Sequence, residues 1–193
     1  MTSSPSDIES TTLSDYADQV AAVVGGTGAV TFDTVKVTVE SSHWEAAHRT
    51  ARDELGLVFF SWLSAVDWAN EVAVGDPPGE EVEERLEVLS TVSDISEGRR
   101  VTFTTSISNE SPAIASLVGV YAGANWHERE AHEMFGIEFE GHPDLSHLYL
   151  PDSFVGHPLR KQYPLLSREV KPWPGTVDVE PMPEGPSEEN PES

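Results

Sequence analysis

The chain contains no cysteine. Disulfides, iron–sulfur ligation and thiolate catalysis are therefore closed to it. Basic residues are scarce: 11 Lys and Arg stand against 34 Asp and Glu, a formal charge of −23. That balance argues against nucleic acid or an anionic membrane surface as a direct partner. Long apolar runs are missing as well. The longest, LGLVFFSWLSAV at 55–66, is interrupted by Ser61 and Ser64 and is too short to cross a bilayer. The opening MTSSPSDIESTTLSDY lacks the basic and apolar regions of a signal peptide and is not expected to act as one. There is no phosphate-binding loop, because VVGGTGAV (23–30) has neither the Walker lysine nor dinucleotide spacing. Ser61, Ser64 and Ser90 sit in predicted strands without a nucleophile-elbow sequence.

What is present suffices for one domain with tails: 193 residues, 38 % of them hydrophobic. Residues 1–12 are polar and Ser/Thr-rich and are expected to be disordered. A helix is expected from Ser14, with Tyr16, Val20 and Val23/Val24 on its apolar face and Gly25-Gly26 as its stop. VTFDTVKVTVE (30–40) alternates as a strand but changes phase near Asp33, where a bulge or turn is expected. Ser42 with Glu45 reads as a capping box, followed by Trp44, Ala47, Ala51 and Leu55 on one helical face. LVFFSWLSAVDW reads as a buried strand, residues 70–83 as a polar loop, and 86–92 with 101–107 as a hairpin turning at Glu97-Gly98. Ser111-Pro112 predicts a helix with Ile114, Leu117, Val118 and Tyr121 as its stripe. Asn125 with Glu128 predicts a last helix, closed by Gly136. The sum is an α+β domain over 13–140 with a mostly antiparallel sheet packed with helices.

Beyond residue 140 the character changes. Ten of the fourteen prolines lie at or after Pro143, and each keeps its predecessor out of the helical region. Residues 141–175 must run extended, yet they keep Leu145, Leu148, Tyr149, Leu150, Phe154, Tyr163 and Leu165, which a disordered linker would lack. Residues 176–193 read as an acidic disordered tail.

NWHEREAHEMFG (125–136) is the densest ionisable cluster. Helical spacing places Trp126, Glu130, Glu133, Met134 and Ile137 on one side and lets Arg129 pair with Glu133. Paired carboxylates suit acid–base work. Buried or interfacial acids satisfied by Arg or backbone donors suit the pattern better, since no nucleophile lies nearby in sequence. A free-standing metal hydrolase is the rival reading, because five of seven histidines lie at 127, 132, 142, 147 and 157. Against it, His127 and His132 point about 140° apart on an ideal helix, and there is no His-Glu-x-x-His or EF-hand pattern. No metal site, cofactor site or catalytic residue is expected in the chain.

ANWHEREAHEMFGIEFEGHPDLSHLYLPDSFVGHPLRKQYPL (124–165) resembles the signature of the NADH-quinone oxidoreductase family of C subunits, the 30-kilodalton-type subunit of respiratory complex I. The family pattern appears as Asn125–Glu130, Glu133, Met134–Ile137, Gly141–Leu145 and Gly156–Lys161, and LSAVDW (63–68) matches a family strand. Family arginines after Gly-His-Pro-Asp-Leu are replaced here by Ser146-His147. The resemblance implies a non-redox scaffold subunit of the hydrophilic arm, peripheral on the cytoplasmic face of the plasma membrane. FMN, iron–sulfur clusters, NADH and quinone would be handled by other subunits. It also implies that the extended segment docks on the large, D-type subunit that helps form the quinone site. Subunit-interface residues are then Glu128, Arg129, Glu130, Glu133, His142, Asp144, His157, Arg160, Lys161 and Tyr163. Arg160 and Lys161 are expected to pair with partner or intrachain carboxylates such as Glu130 or Glu133. An equivalent subunit of a complex-I-like hydrogenase or other donor:quinone oxidoreductase is the nearer alternative.

Overall fold

The computed structural model describes residues 5–69 and 83–164, with side chains from residue 13 onward. The polar loop expected at 70–83 falls almost wholly outside the described residues, as do the stretch from 165 to 175 and the acidic tail.

Helix α1 (Pro5–Val24) leads into the hairpin β1 (Thr27–Thr31) and β2 (Thr34–Thr38). A 3-10 turn (Ser41–His43) opens α2 (Trp44–Glu54). Then follow β3 (Phe59–Asp67), β4 (Leu86–Ser93), β5 (Arg100–Ile107), β6 (Ala113–Ala115), α3 (Ala124–Phe135) and β7 (Glu138–Glu140). The main sheet has the order β1-β2-β5-β4-β3. All its pairings are antiparallel except β2 with β5, so the α+β expectation with a mostly antiparallel sheet holds. β6 and β7 form a small parallel pair.

The core lies on one face of the sheet. Val37 of β2, Phe103 of β5 and Leu63 of β3 share that face with Val88 and Val92 of β4. Ala17 and Val20 of α1, and Trp44, Ala47 and Ala51 of α2, complete it. Full burial of Phe103 contributes about 1.5–3 kcal/mol. His48 of α2 sits among Trp44, Phe103 and Tyr121 and hydrogen-bonds the Ser90 hydroxyl. Burial pushes its pKa down to about 4, so it is a neutral core residue. On the opposite face Glu87 accepts from Lys36 Nζ (2.8 Å), Trp68 Nε1 (2.8 Å) and the Thr104 hydroxyl.

Several local expectations change. α1 reaches back to Pro5, into the stretch expected to be disordered. Proline suits the first helical turn. Of the bulge or turn expected near Asp33, the structure has the turn, a two-residue hairpin loop. The run at 57–68 forms an edge strand, not a doubly buried one, with Phe59, Trp62 and Val66 facing outward. Neither expected capping box forms: α2 is preceded by the 3-10 turn, and α3 begins at Ala124 without a side-chain cap. Most consequential, the helix expected from Ser111 is absent. Ile114 reaches the core from β6, and Leu117 and Tyr121 reach it from a following turn. Pairing with β7 wins because Pro112 O accepts from Glu138 N (2.8 Å) and Glu140 O accepts from Ser116 N (2.9 Å).

Candidate functional site: a strap clasped to helix α3

α3 packs on β3 and buries Ala124, Glu128, Ala131, Glu133 and Phe135; of the expected side Trp126, Glu130, Glu133, Met134 and Ile137, the structure buries Glu133 and Ile137 and half-buries Glu130 and Met134. Trp126 is exposed instead, with the Arg129 guanidinium over its ring at 5.2 Å. Glu128 is fully buried. Its carboxylate accepts from the Ser116 hydroxyl and from Leu117 N, both at 2.6 Å, tying the turn after β6 to α3. Burial drives its pKa up to about 7, against the lowering effect of those two hydrogen bonds. His142 stands beside it, Nε2 3.9 Å from Glu128 Oε2. His142 Nδ1 accepts from Asp144 N (3.1 Å), so Nε2 carries the proton and donates to Asn125 O (3.3 Å). Burial depresses the His142 pKa, outweighing the Asn125 contact, and the ring is neutral.

The segment after β7 runs back along α3 without helix or strand, held by a succession of clips. Asp144 forms a local turn by accepting from Ser146 N (3.0 Å) and the Ser146 hydroxyl (3.2 Å). Arg129 then donates to Ser146 O (2.9 Å), Ser146 Oγ (2.8 Å) and His147 O (3.2 Å). The expected Arg129–Glu133 pair does not form, because Glu133 is engaged elsewhere. Its buried carboxylate receives three successive backbone donors: Leu148 N (3.2 Å), Tyr149 N (3.1 Å) and Leu150 N (2.6 Å). Burial raises the Glu133 pKa, but these N–H groups and His147 outweigh it and hold the carboxyl below the ordinary glutamate value. Glu130 takes no part in the clasp among the described residues.

The second Gly-His-Pro closes the helix. A helix leaves its last four carbonyls without internal partners. In α3 His132 O accepts from Gly136 N (2.8 Å) and Glu133 O from His157 Nδ1 (2.9 Å). Met134 O accepts from Leu159 N (3.1 Å) and Phe135 O from Arg160 Nε (2.7 Å). All four are thus satisfied, three by the returning strap. Gly136 has φ +73°, and a Cβ there would lie 2.6 Å from the His157 ring. Gly156 has φ +100° and abuts the Tyr163 ring, which stacks on Phe154 at 6.0 Å.

Arg160 also donates to Asn109 O (3.2 Å), and burial lowers its pKa against a favourable contribution from Asp67. The expectation that it pairs with Glu130 or Glu133 is therefore corrected. A guanidinium at a helix C-terminus meets several carbonyls and the negative end of the helix dipole at once. Lys161 departs likewise: its N–H donates to Asp67 Oδ2 (3.0 Å) and its Nζ to Ala69 O (3.1 Å). An extended reach of about 90 Å for 141–171, at roughly 3.1 Å per residue, does not describe the strap, which doubles back within its own domain up to Pro164. Asp67 and Asn109 were missed as anchors. A carboxylate closing the apolar LSAVDW run was the available signal for Asp67.

The arrangement clasps the strap to α3 and leaves Trp126, Tyr149, Val155 and Leu159 exposed. Among the described residues no group of three or more His, Asp or Glu is disposed to hold a metal ion. No described helix is long and apolar enough to cross a membrane.

Residues 37–169 match the family model described as respiratory-chain NADH dehydrogenase, 30 Kd subunit. The NADH-quinone oxidoreductase C subunit of Salinispora arenicola is 39 % identical over 116 residues, 59 % of this chain and 43 % of that one. The corresponding Methylobacterium protein is 32 % identical over 156 residues, 79 % of this chain and 68 % of that one. The NADH-quinone oxidoreductase C/D subunit of Chromohalobacter salexigens is 42 % identical over 91 residues, 47 % of this chain and 15 % of that one. The chain thus matches less than half the length of two of these three relatives. Among solved structures, a trypsin-resistant fragment (1–134) of Nqo5 aligns with a TM-score of 0.54 at 21 % identity, covering 68 % of this chain and 98 % of that one. A chain of an archaeal membrane-bound sulfane sulfur reductase aligns with a TM-score of 0.61 at 19 % identity, covering 79 % and 85 %. Both share the fold.

Proposed function

We propose, from the premise that this chain belongs to the family of the 30 Kd subunit of the respiratory-chain NADH dehydrogenase, that it is a non-redox scaffold subunit of a proton-translocating NADH:quinone oxidoreductase. Its site in that assembly is the hydrophilic arm, at the cytoplasmic face of the plasma membrane. FMN, iron–sulfur clusters, NADH and quinone belong to other subunits. The strap face docks on the large quinone-site subunit.

One observation carries the docking reading. The strap is tied to α3, Asp67 and Asn109 by hydrogen bonds; Leu145, Leu148, Leu150, Phe154 and Tyr163 are half-buried, and three of its apolar side chains are left outward. Val155 is 87 % exposed, and Tyr149, Leu159 and neighbouring Trp126 are also exposed. Exposed apolar groups on an ordered segment are the material of a protein–protein contact. The C/D relative supports the large subunit as the neighbour, since joining two folded units in one chain keeps them close. Glu128, Arg129, Glu133, His142, Asp144, His157, Arg160, Lys161 and Tyr163 then serve the interface by shaping the strap, and Glu130 by direct contact.

The test is the double variant Tyr149→Asp, Val155→Asp. Neither side chain holds the strap to its own domain, so the isolated chain keeps its melting temperature. The purified complex loses this subunit, and quinone reduction falls with it. An intact complex reducing quinone at the normal rate would refute the docking reading.

A further inference from the structure

The main sheet has two ends, and the strap occupies one of them, at Asp67 and Asn109. Strand register defines the other. Val35 lies opposite Val101, Val101 opposite Val92, and Val92 opposite Phe60. The β1–β2 turn, the β4–β5 turn and the start of β3 therefore meet there, far from the clasp.

The β1–β2 turn is a two-residue loop, Phe32-Asp33, with φ of 49° and 55°. Positive φ at both central positions is the geometry that Asn-Gly or Asp-Gly normally fills. A bulky aromatic is an outlier in it. Phe32 is also 97 % exposed, so packing of its ring on the described chain does not offset the strain. Strain kept at an exposed position points to a use outside the folded chain.

Its surroundings agree. Ile95 of the β4–β5 turn is 71 % exposed, and Val58 and Phe59 are exposed beside β3. Phe59, Ser93, Asp94, Ile95 and Arg100 line an open groove of about 400 Å³. The charges around it are mixed but weighted to acid. Asp33 adjoins Phe32 and Asp94 borders the groove. Arg99 is spent on Glu97 (2.7 Å) and on the Tyr16 ring (5.0 Å), which leaves Arg100 at the wall. Together with the chain's net −23, this selects a basic partner with apolar side chains.

We propose that this end of the sheet is a second docking surface. On it Phe32 enters an apolar pocket of another subunit, and the Phe59–Ile95 groove receives an apolar side chain carried by a basic segment of the same subunit. The surface is separate from the strap face, and one complex can use both.

The test is Phe32→Asn, which supplies a residue the turn prefers. The isolated full-length chain should melt about 2–6 °C higher, as strain of this kind is relieved. Retention of the chain in the purified complex under increasing salt should nevertheless fall at least about tenfold, the equivalent of one good contact. Ile95→Asp, which leaves the turn intact, should give the same loss of retention without the gain in melting temperature. Unchanged retention in both variants would overturn the proposal. So would a lower melting temperature for Phe32→Asn, which would show that the ring packs on its own chain. A wild-type dimer in sedimentation that Phe32→Asn dissociates would replace the basic partner with a second copy and overturn it as well. The Tyr149→Asp, Val155→Asp pair reports on the strap face alone, so failure at one surface is distinguishable from failure at the other.

Discussion

Glu133→Gln tests the clasp at its centre. The wild-type carboxylate faces three backbone N–H groups with two acceptor oxygens: Leu150 on one, Leu148 on the other, and Tyr149 on both. Glutamine keeps one acceptor and turns the other into a donor, so at least one N–H loses its partner and the rest lose charge assistance. An orphaned donor costs about 1–3 kcal/mol and lost charge assistance adds to it, so a penalty of about 2–3 kcal/mol is expected. That is roughly a 30- to 150-fold rise in the open population of the strap. The His157, Leu159 and Arg160 caps hold independently, so opening is local. Amide exchange at Leu148–Leu150 should accelerate by that factor, with protease cleavage near Tyr149. The pH dependence has a definite sign. The Glu133 carboxyl is held below its ordinary value in the fold, so its contribution is complete above the unfolded-state value, about 4.3, and is lost as pH falls through the lower folded value. Wild-type protection should fall in that acid range, while the variant's should not depend on this group. Unchanged exchange in Glu133→Gln would show that side-chain packing, not this carboxylate, holds the strap.

Glu128 gives the opposite slope. Its pKa is raised to about 7, so the fold binds the proton more tightly, and its contribution to stability declines as pH rises from about 4.3 through 7. Glu128→Gln can still accept from Leu117 N and donate to Ser116 Oγ. Its melting temperature should change less than wild type's between pH 5.5 and pH 8, and parallel curves would count against a buried carboxyl. Gly136→Ala forces a Cβ against the His157 ring and onto φ +73°. It should lower stability by about 1–3 kcal/mol in urea titration, and a midpoint equal to wild type would contradict the close approach.

The sequence pattern identified the β4–β5 hairpin, the turn near Asp33 and the stop at Gly136, because each rests on local chemistry: alternation, a phase change, a glycine in the left-handed region. It misassigned residues 111–121, whose apolar positions 114, 117, 118 and 121 fit a helix as well as a strand followed by a turn. Pairing with β7, 25 residues later, decided between them. Glu128 was legible as an acid on α3 but not as the acceptor for a turn brought beside it by tertiary packing. In the strap, the prolines announced an extended path without its direction. The direction comes from carbonyls at the end of α3, and backbone acceptors leave no trace in residue identity. For the same reason Arg160 suggested a carboxylate partner and found Phe135 and Asn109 oxygens instead.

The closure of α3 by residues 157, 159 and 160 gives the protein a temporal order as well as a shape. On the ribosome, α3 emerges with bare terminal carbonyls, and only a chain grown past Arg160 can finish the helix that anchors β3. A chain that ends before His157 therefore leaves the carbonyls of Glu133, Met134 and Phe135 without the partners that the strap gives them.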